Sequence, residues 1–337
     1  MRAPDFWQER NFISTLLLPA ALLYSLGGNL HQRLARPKQV SVPVICIGNL
    51  TAGGSGKTPV TASLAQLLRE EGKNPHIISR GYGGTTTGPL QVQTGRHTPA
   101  EVGDEPLLLA RDFPVWVSKD RVAGAEAAIA AGADVLLLDD GFQNPGLYKD
   151  LSLIVVDAIR GFSNGRVLPA GPLREPVKTG LSRADAVVLL KPSAKTVINQ
   201  EVCTTLRGLP AIQAHIEPAP RPAEGATADL NHKAVFAFAG IGYPAKFYTT
   251  LEQLGVKLVG NRNFPDHHPY CNADIEQIVK EAQHKGAELI LTTEKDAVKL
   301  SRLTPPAGAP EIISLPIRAV WDNPGIIKDL LSKATGN

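Results

Sequence analysis

The chain has 337 residues, of which 43% are hydrophobic and 20% charged, and a net charge of +3. These values exclude a disordered chain and leave room for two domains with sizeable cores. The charge is too small to argue by itself for nucleic acid as a partner. Three widely spaced cysteines, Cys46, Cys203 and Cys271, give neither a disulfide framework nor a zinc pattern, so a reducing cytoplasm is the simplest setting.

Residues 11–27 (NFISTLLLPAALLYSLG) are the most apolar stretch. They are short for a spanning helix of about 20 residues and contain Asn11, Ser14, Thr15 and Pro19. Asp5 and Glu9 dilute the basic start that a signal peptide needs. His31, Arg33, Arg36 and Lys38 follow, a flank suited to anionic headgroups. The expectation is a helix over 7–30 lying on a membrane surface; the plain alternative is a helix packed on its own domain.

Residues 43–59 (PVICIGNLTAGGSGKTP) organise the rest. A short apolar strand turns through Gly53, Gly54 and Gly56 into a helical pattern with Val60, Leu64, Leu67 and Leu68 on one face. Strand, glycine turn and helix are the parts of a P-loop, in which backbone N–H groups cradle phosphate. Thr51 stands where the usual pattern has glycine. The loop residues Thr51, Ala52, Gly53, Gly54, Ser55 and Gly56 would surround the phosphates. Lys57 would reach the β- and γ-phosphates, and the Thr58 hydroxyl would hold Mg²⁺.

A second strand at 76–79 leads to Arg80-Gly-Tyr82 and two more glycines, a loop placed near phosphate or sugar. Asp104 and Glu105 open the next helix; first-turn capping and a carboxylate beside the phosphates are equally open. Residues 133–143 form an apolar strand ending in Asp139 and Asp140, where an open α/β sheet places its ligand. Either acid would hold Mg²⁺ directly or through water. A proline- and glycine-rich loop at 165–176 ends in Arg174 and Glu175; by itself Arg174 reads as a solvated surface arginine, and near a transferred phosphoryl group it would offset charge. A short helix and a strand follow within 181–190.

Strands alternating with helices imply a parallel sheet. The expected organisation is a P-loop domain over 1–215, a linker over 216–232 and a smaller α/β domain over 233–320. A last helix over 323–335 would pack back on the first domain. The fold class is α/β: a P-loop-type parallel sheet with helices on both faces, a second smaller α/β domain and an N-terminal membrane-associated helix. In the second domain Asp266, His267 and His268 form the dense histidine cluster, without zinc-ligand spacing. Residues 289–296 enter a helix with Glu294 to Asp296 at a strand tip, an open guess for the adenine contact.

Eight motifs in order resemble one family: GNLTAGGSGKTP, SRGYGG, VGDEPLLLA, LLLDDGFQ, LPAGPLREP, FAGIGYP, FPDHHPY and LTTEKDAVKL. They look like the tetraacyldisaccharide 4'-kinases of lipid A biosynthesis. The resemblance implies transfer of the γ-phosphoryl group of ATP, with Mg²⁺, to the 4'-hydroxyl of a tetraacyl glucosamine disaccharide 1-phosphate. It implies a peripheral place on the cytoplasmic face of the inner membrane, with no nucleic acid and no obligate protein partner. It maps the catalytic base to Asp104, with His267 rather than His268 supporting it and Lys57 on the phosphates. Arg174 joins the nucleotide site; Thr58, Asp139, Asp140 and Glu175 form the Mg²⁺ set. Arg80 and Tyr82 fall in the family's flexible loop. One departure is Asn144, where the family usually has histidine; asparagine offers hydrogen bonds there but no acid–base chemistry.

Overall fold

The computed structural model describes residues 4–219, 230 and 232–336. After a short turn at Asp5–Trp7 come helices α1 (Phe12–Leu16) and α2 (Leu18–Leu34), then β1 (Val44–Gly48) and α3 (Lys57–Glu70). The chain continues with β2 (Pro75–Ser79), β3 (Leu90–Gln91), α4 (Pro99–Val102), α5 (Asp104–Leu109), β4 (Val115–Val117), α6 (Arg121–Ala130) and β5 (Val135–Asp139). Next are β6 (Leu151–Asp157), α7 (Val177–Leu181), β7 (Ala186–Lys191), α8 (Gln200–Thr205) and β8 (Ala211–Pro218). A second run holds β9 (Ala234–Ala239), α9 (Pro244–Gln253), β10 (Lys257–Asn263), α10 (Asn272–His284), β11 (Leu289–Thr293), α11 (Glu294–Leu300) and β12 (Glu311–Leu315). The last elements are β13 (Ile317–Trp321) and α12 (Pro324–Thr335).

The first sheet has the order β13-β8-β7-β6-β1-β5-β2-β4-β3. It is parallel except at its two edges, where β3 and β13 run antiparallel to their neighbours. Its central strands are buried on both faces, which is why they read as unbroken apolar runs rather than alternating ones. Two apolar cores cover the two faces: Val60, Leu64, Leu68, Ile327 and Leu331 belong to one, and Ala125, Ala128, Phe142 and Leu181 to the other. β1 lies between β5 and β6, with β2 to β5 on one side and β6, β7, β8 and β13 on the other. That reversal opens a crevice at the strands' carboxyl ends, where the loop after β1 emerges. The second sheet, β10-β9-β11-β12, is wholly parallel, with its own cores on both faces.

Three expectations need adjusting. The helix expected at the start of 181–190 lies earlier, at Val177–Leu181. Of the expected linker 216–232, residues 220–229 and 231 lie outside the described residues, while 216–218 belong to β8. The smaller domain, expected to run to 320, gives up its last strand: Ile317–Trp321 pairs with β8 of the first sheet, Ile317 opposite Pro218 and Trp321 opposite Ala214. Trp321 Nε1 also donates to Ser63 Oγ on α3 at 2.8 Å. An exposed β8 edge would leave unpaired backbone groups, and the returning strand covers it. Ile327 and Leu331 of α12 are fully buried in the first sheet's core.

The N-terminal stretch is two helices. Pro19 opens α2, and Asn11 caps α1 by accepting from Ser14 N. Phe12, Leu16, Leu22, Leu23, Leu30 and Leu34 are all exposed; only Ser14 and Ala21 are buried in these helices. Among the described residues no helix is long and apolar enough to cross a membrane.

Candidate active site

The loop after β1 is held by its neighbours rather than by glycine alone. Asn49 is buried; its Nδ2 donates to Thr51 O and to Ser55 Oγ, each at 2.8 Å. Ala52 N donates to Pro172 O at 2.7 Å, and Thr51 forms a β-bridge with Leu173. Thr51 is thus in extended pairing, a conformation that needs no glycine. The left-handed positions are Gly53 (φ 113°) and Gly56 (φ 81°), where side chains are disfavoured. Gly56 precedes α3 and provides no side-chain cap, so the first-turn N–H groups of a 14-residue helix stay open to an anion. Lys57 and Thr58 begin that helix, and Lys57 Nζ lies 3.5 Å from Asp140 Oδ1.

Asp139 ends β5, is buried, and accepts from Thr61 Oγ1 at 3.1 Å. Burial and the Glu105 charge push its carboxyl up, against the pull of Lys57. Asp140 turns out of the strand with φ 56°, a left-handed conformation that aspartate tolerates better than most residues. It takes a two-pronged contact from Arg174, at 2.7 and 3.0 Å. Burial raises its carboxyl, but Lys57 and Arg174 outweigh that and hold it below the usual range.

Glu175, expected in the metal set, is held by two side-chain contacts. Its Oε2 pairs with Arg183, and its Oε1 accepts from Gln143 Nε2 at 3.1 Å. Both oxygens are thus engaged, and Gln143 Oε1 in turn accepts from Arg174 at 3.2 Å. The expected donors, the Thr58 hydroxyl and the Asp139, Asp140 and Glu175 carboxylates, are hard oxygens that suit Mg²⁺. Among the described residues no three His, Cys, Asp or Glu side chains gather as a metal cluster. Mg²⁺ held by one or two carboxylates plus substrate phosphates needs no such cluster.

A second group of residues meets across the two sheets. Asp104, the first residue of α5, is buried. The cap position is Gly103, and no side chain caps the helix, so the capping expectation for Asp104 fails. Its oxygens lie instead 3.0 and 3.1 Å from Nδ1 of His267. His267 sits at φ 58° in the loop after β10, with its backbone N–H directed to Gly240 O at 3.3 Å. The Tyr82 ring lies 5.2 Å from the His267 ring, so the Arg80–Tyr82 loop borders this pair. Burial pushes the Asp104 carboxyl up; the His267 hydrogen bond and the Lys295 and Lys299 charges more than reverse that. The two sheet units also approach each other at the loop after β1. A Cβ placed on Gly242 of the second sheet unit would lie only 3.5 Å from Gly54 N in the loop after β1.

His268 is elsewhere: its Nε2 pairs with Asp274 Oδ2 at 3.0 Å, beside the capping box of α10. Glu294 and Asp296 are also engaged elsewhere. Glu294 accepts from Ile317 N at 3.1 Å, and Asp296 from Gly240 N at 2.9 Å and Thr293 Oγ1 at 2.7 Å. Both are buried in the second unit's own scaffold, which leaves neither free to read adenine. Asn144 uses its Oδ1 to accept from Gly146 N at 3.0 Å, a turn contact.

Several site residues escaped the sequence reading. Lys295 reaches Glu105, His267 and Asp266, and Lys299 lies 3.9 Å from Asp104. The motif containing both lysines was visible, and their i, i+4 spacing put them on one face. Arg121, the first residue of α6, is buried with Asp139, Asp140 and Arg80 in its field. Thr61 and Gln143 carried no signal, because a helix threonine and a turn glutamine are ordinary.

The sequence profile of the family described as Tetraacyldisaccharide-1-P 4'-kinase matches residues 13–335. A tetraacyldisaccharide 4'-kinase of Rhodospirillum centenum is 48% identical over 338 residues, covering 98% of this chain and 96% of its own. That of a Jannaschia species is 46% identical over 340 residues, covering all of both. The crystal structure of LpxK from Aquifex aeolicus in complex with ATP superposes with a TM-score of 0.76 at 31% identity. It covers 96% of this chain and 100% of that one.

Proposed function

The chain belongs to the tetraacyldisaccharide 4'-kinase family, and from that premise we propose how its residues divide the work. The protein is an ATP- and Mg²⁺-dependent kinase. It phosphorylates the 4'-hydroxyl of a tetraacyl glucosamine disaccharide 1-phosphate, giving lipid IVA in lipid A biosynthesis.

The loop from Thr51 to Gly56 binds the phosphates through its N–H groups, with Lys57 on the β- and γ-phosphates. Thr58, Asp139, Asp140 and Glu175 would hold Mg²⁺, which would supply charge neutralisation on the transferring group. Arg174, steered by Asp140 and Gln143, adds positive charge on the same side. Asp104 takes the proton of the sugar hydroxyl, and His267 orients it. The observation that carries this assignment is the His267 ring. Its Nδ1 faces the Asp104 carboxylate, while its Nε2 faces the Lys295 ammonium at 3.3 Å. With Nε2 so occupied, the acceptor left for an incoming hydroxyl proton is the carboxylate.

The acceptor lipid meets the enzyme at the cytoplasmic face of the bacterial inner membrane, with α1 and α2 lying in the interface. Their exposed phenylalanine and leucines and the basic flank from His31 to Lys38 support this reading. Gln32 Nε2 donates to Gln143 O at 2.8 Å, linking the end of α2 to the phosphate side of the site.

The test is incubation with labelled ATP, Mg²⁺ and the disaccharide 1-phosphate in detergent micelles. A labelled bis-phosphate lipid is expected. Asp104→Ala should lower kcat by about 100-fold or more, the range of a lost general base, while ATP still binds. A near-normal kcat in that variant would remove Asp104 as the base.

A further inference from the structure

Two cations of the second sheet unit have no part in the transfer as described: Lys295 and Lys299, on one face of α11. This helix packs directly against α5, which carries Asp104 and Glu105. Both lysines are largely enclosed, with side-chain exposures of 19% and 6%. Lys295 Nζ lies 3.2 Å from Glu105 Oε1, 3.5 Å from Asp266 Oδ1 and 3.3 Å from His267 Nε2. Lys299 Nζ lies 2.7 Å from Asp296 Oδ1 and 3.9 Å from Asp104 Oδ2.

An ammonium has three donors and no acceptor, so its contact with Nε2 requires a lone pair on that nitrogen. The ring proton then sits on Nδ1, where the Asp104 oxygens at 3.0 and 3.1 Å accept it. The other tautomer would set a lone pair against the carboxylate and an N–H against the ammonium, two repulsions at once. We propose that Lys295 is a positioning residue that selects the Nδ1–H tautomer of His267 and so aims its hydrogen bond at Asp104, with Lys299 holding the carboxylate from a second side. The inference rests on the reading of Asp104 as the base.

The neighbourhood supports fixed rather than wandering cations. Glu105 from α5 and Asp266 from the His267 loop flank Lys295; their charges and that of Asp104 outweigh its burial and raise its ammonium. Asp296 anchors Lys299 and is itself fixed by Gly240 N and Thr293 Oγ1. Around His267 the facing groups are Asp104, Asp266, Lys295 and the Tyr82 ring. Around Asp104 they are His267, Lys295 and Lys299. Both lysines come from the second sheet unit, so the oriented base exists only while α11 sits on α5.

The experiment uses the full chain with Mg²⁺, ATP and the disaccharide 1-phosphate in micelles. Lys295→Met should lower kcat by about 10-fold or more with the KM for ATP unchanged. Its kcat–pH profile should shift on the acid side towards higher pH, because losing a cation lets the Asp104 carboxyl rise. Lys295→Arg, which keeps a cationic donor, should recover most of the loss. A Lys295→Met enzyme with wild-type kcat and profile overturns the proposal. The wild-type protein gives an independent reading should Lys295→Met not fold. With ¹⁵N-histidine labelling, and His267 assigned by its loss in His267→Gln, the Nδ1–H tautomer is expected; an Nε2–H tautomer or an imidazolium overturns the proposal. Asp104→Asn separates the two layers. If it retains near-normal kcat, the base assignment has failed; if it is inactive while Lys295→Met is normal, only the positioning role has failed.

Discussion

At the scale of single residues, the two adjacent histidines have opposite fates. His267 reaches across to Asp104, whereas His268 turns back to Asp274 and stacks 4.7 Å from the Phe264 ring. A left-handed backbone at His267 swings two neighbouring side chains to different sides of the loop. His267→Ala should therefore reduce kcat at least 10-fold more than His268→Ala. His268→Ala should instead lower stability by about 1 kcal/mol, the usual cost of one lost hydrogen bond, seen as an earlier urea midpoint. Equal kcat losses in the two variants would contradict this division. The sequence displayed both histidines and the family resemblance favoured His267, but composition and spacing alone could not choose. The choice depends on one φ angle and on α5, about 160 residues away in the chain.

At the scale of elements, α1 and α2 invert the usual rule for small helices. Their leucines point outward, with Leu23 71% and Phe12 81% exposed, while polar contacts tie them down. Trp7 Nε1 donates to Pro169 O, and Arg166 Nη1 to Ser14 Oγ and Thr15 Oγ1. A contiguous apolar surface of this kind calls for a partner that is itself apolar. Burying each leucine in a bilayer contributes about 2 kcal/mol. The double variant Leu22→Glu/Leu23→Glu should bind anionic vesicles about 100-fold or more weakly in a sedimentation assay, with its thermal midpoint little changed. Unaltered vesicle binding would send this face to some other role. The apolar run was plain in the sequence. Whether it packed inward or stayed exposed was not, because a run apolar on most sides carries no face preference.

At the scale of the whole molecule, the first sheet unit is discontinuous. β13 and α12 come from the far end of the chain, cover the β8 edge and close the core over α3. The second sheet unit is inserted between β8 and β13, and it touches the first at the dyad and through the Lys246–Asp157 ion pair. A chain ending at residue 316 should fail to give a soluble, cooperatively melting protein. It would expose the β8 edge and lose the fully buried Ile327 and Leu331, each worth about 2–4 kcal/mol. A stable truncated protein would show that β13 is dispensable.

The sequence by itself determined the loop after β1, the strand ending in Asp139 and Asp140, the alternation that makes parallel sheets and the family. These depend on local chemistry: glycine where φ must be positive, apolar runs where both faces are covered, acids at strand tips. Tertiary structure alone decided the boundary at β13, the turning of Glu175 onto Arg183, and the burial of Glu294 and Asp296. It also brought Lys295 and Lys299 onto the Asp104–His267 pair. Apart from the Glu175–Arg183 pair, eight residues apart, each is a contact between segments far apart in the chain, and a side chain's partner there is set by how two sheets and their helices stack, which no local pattern records.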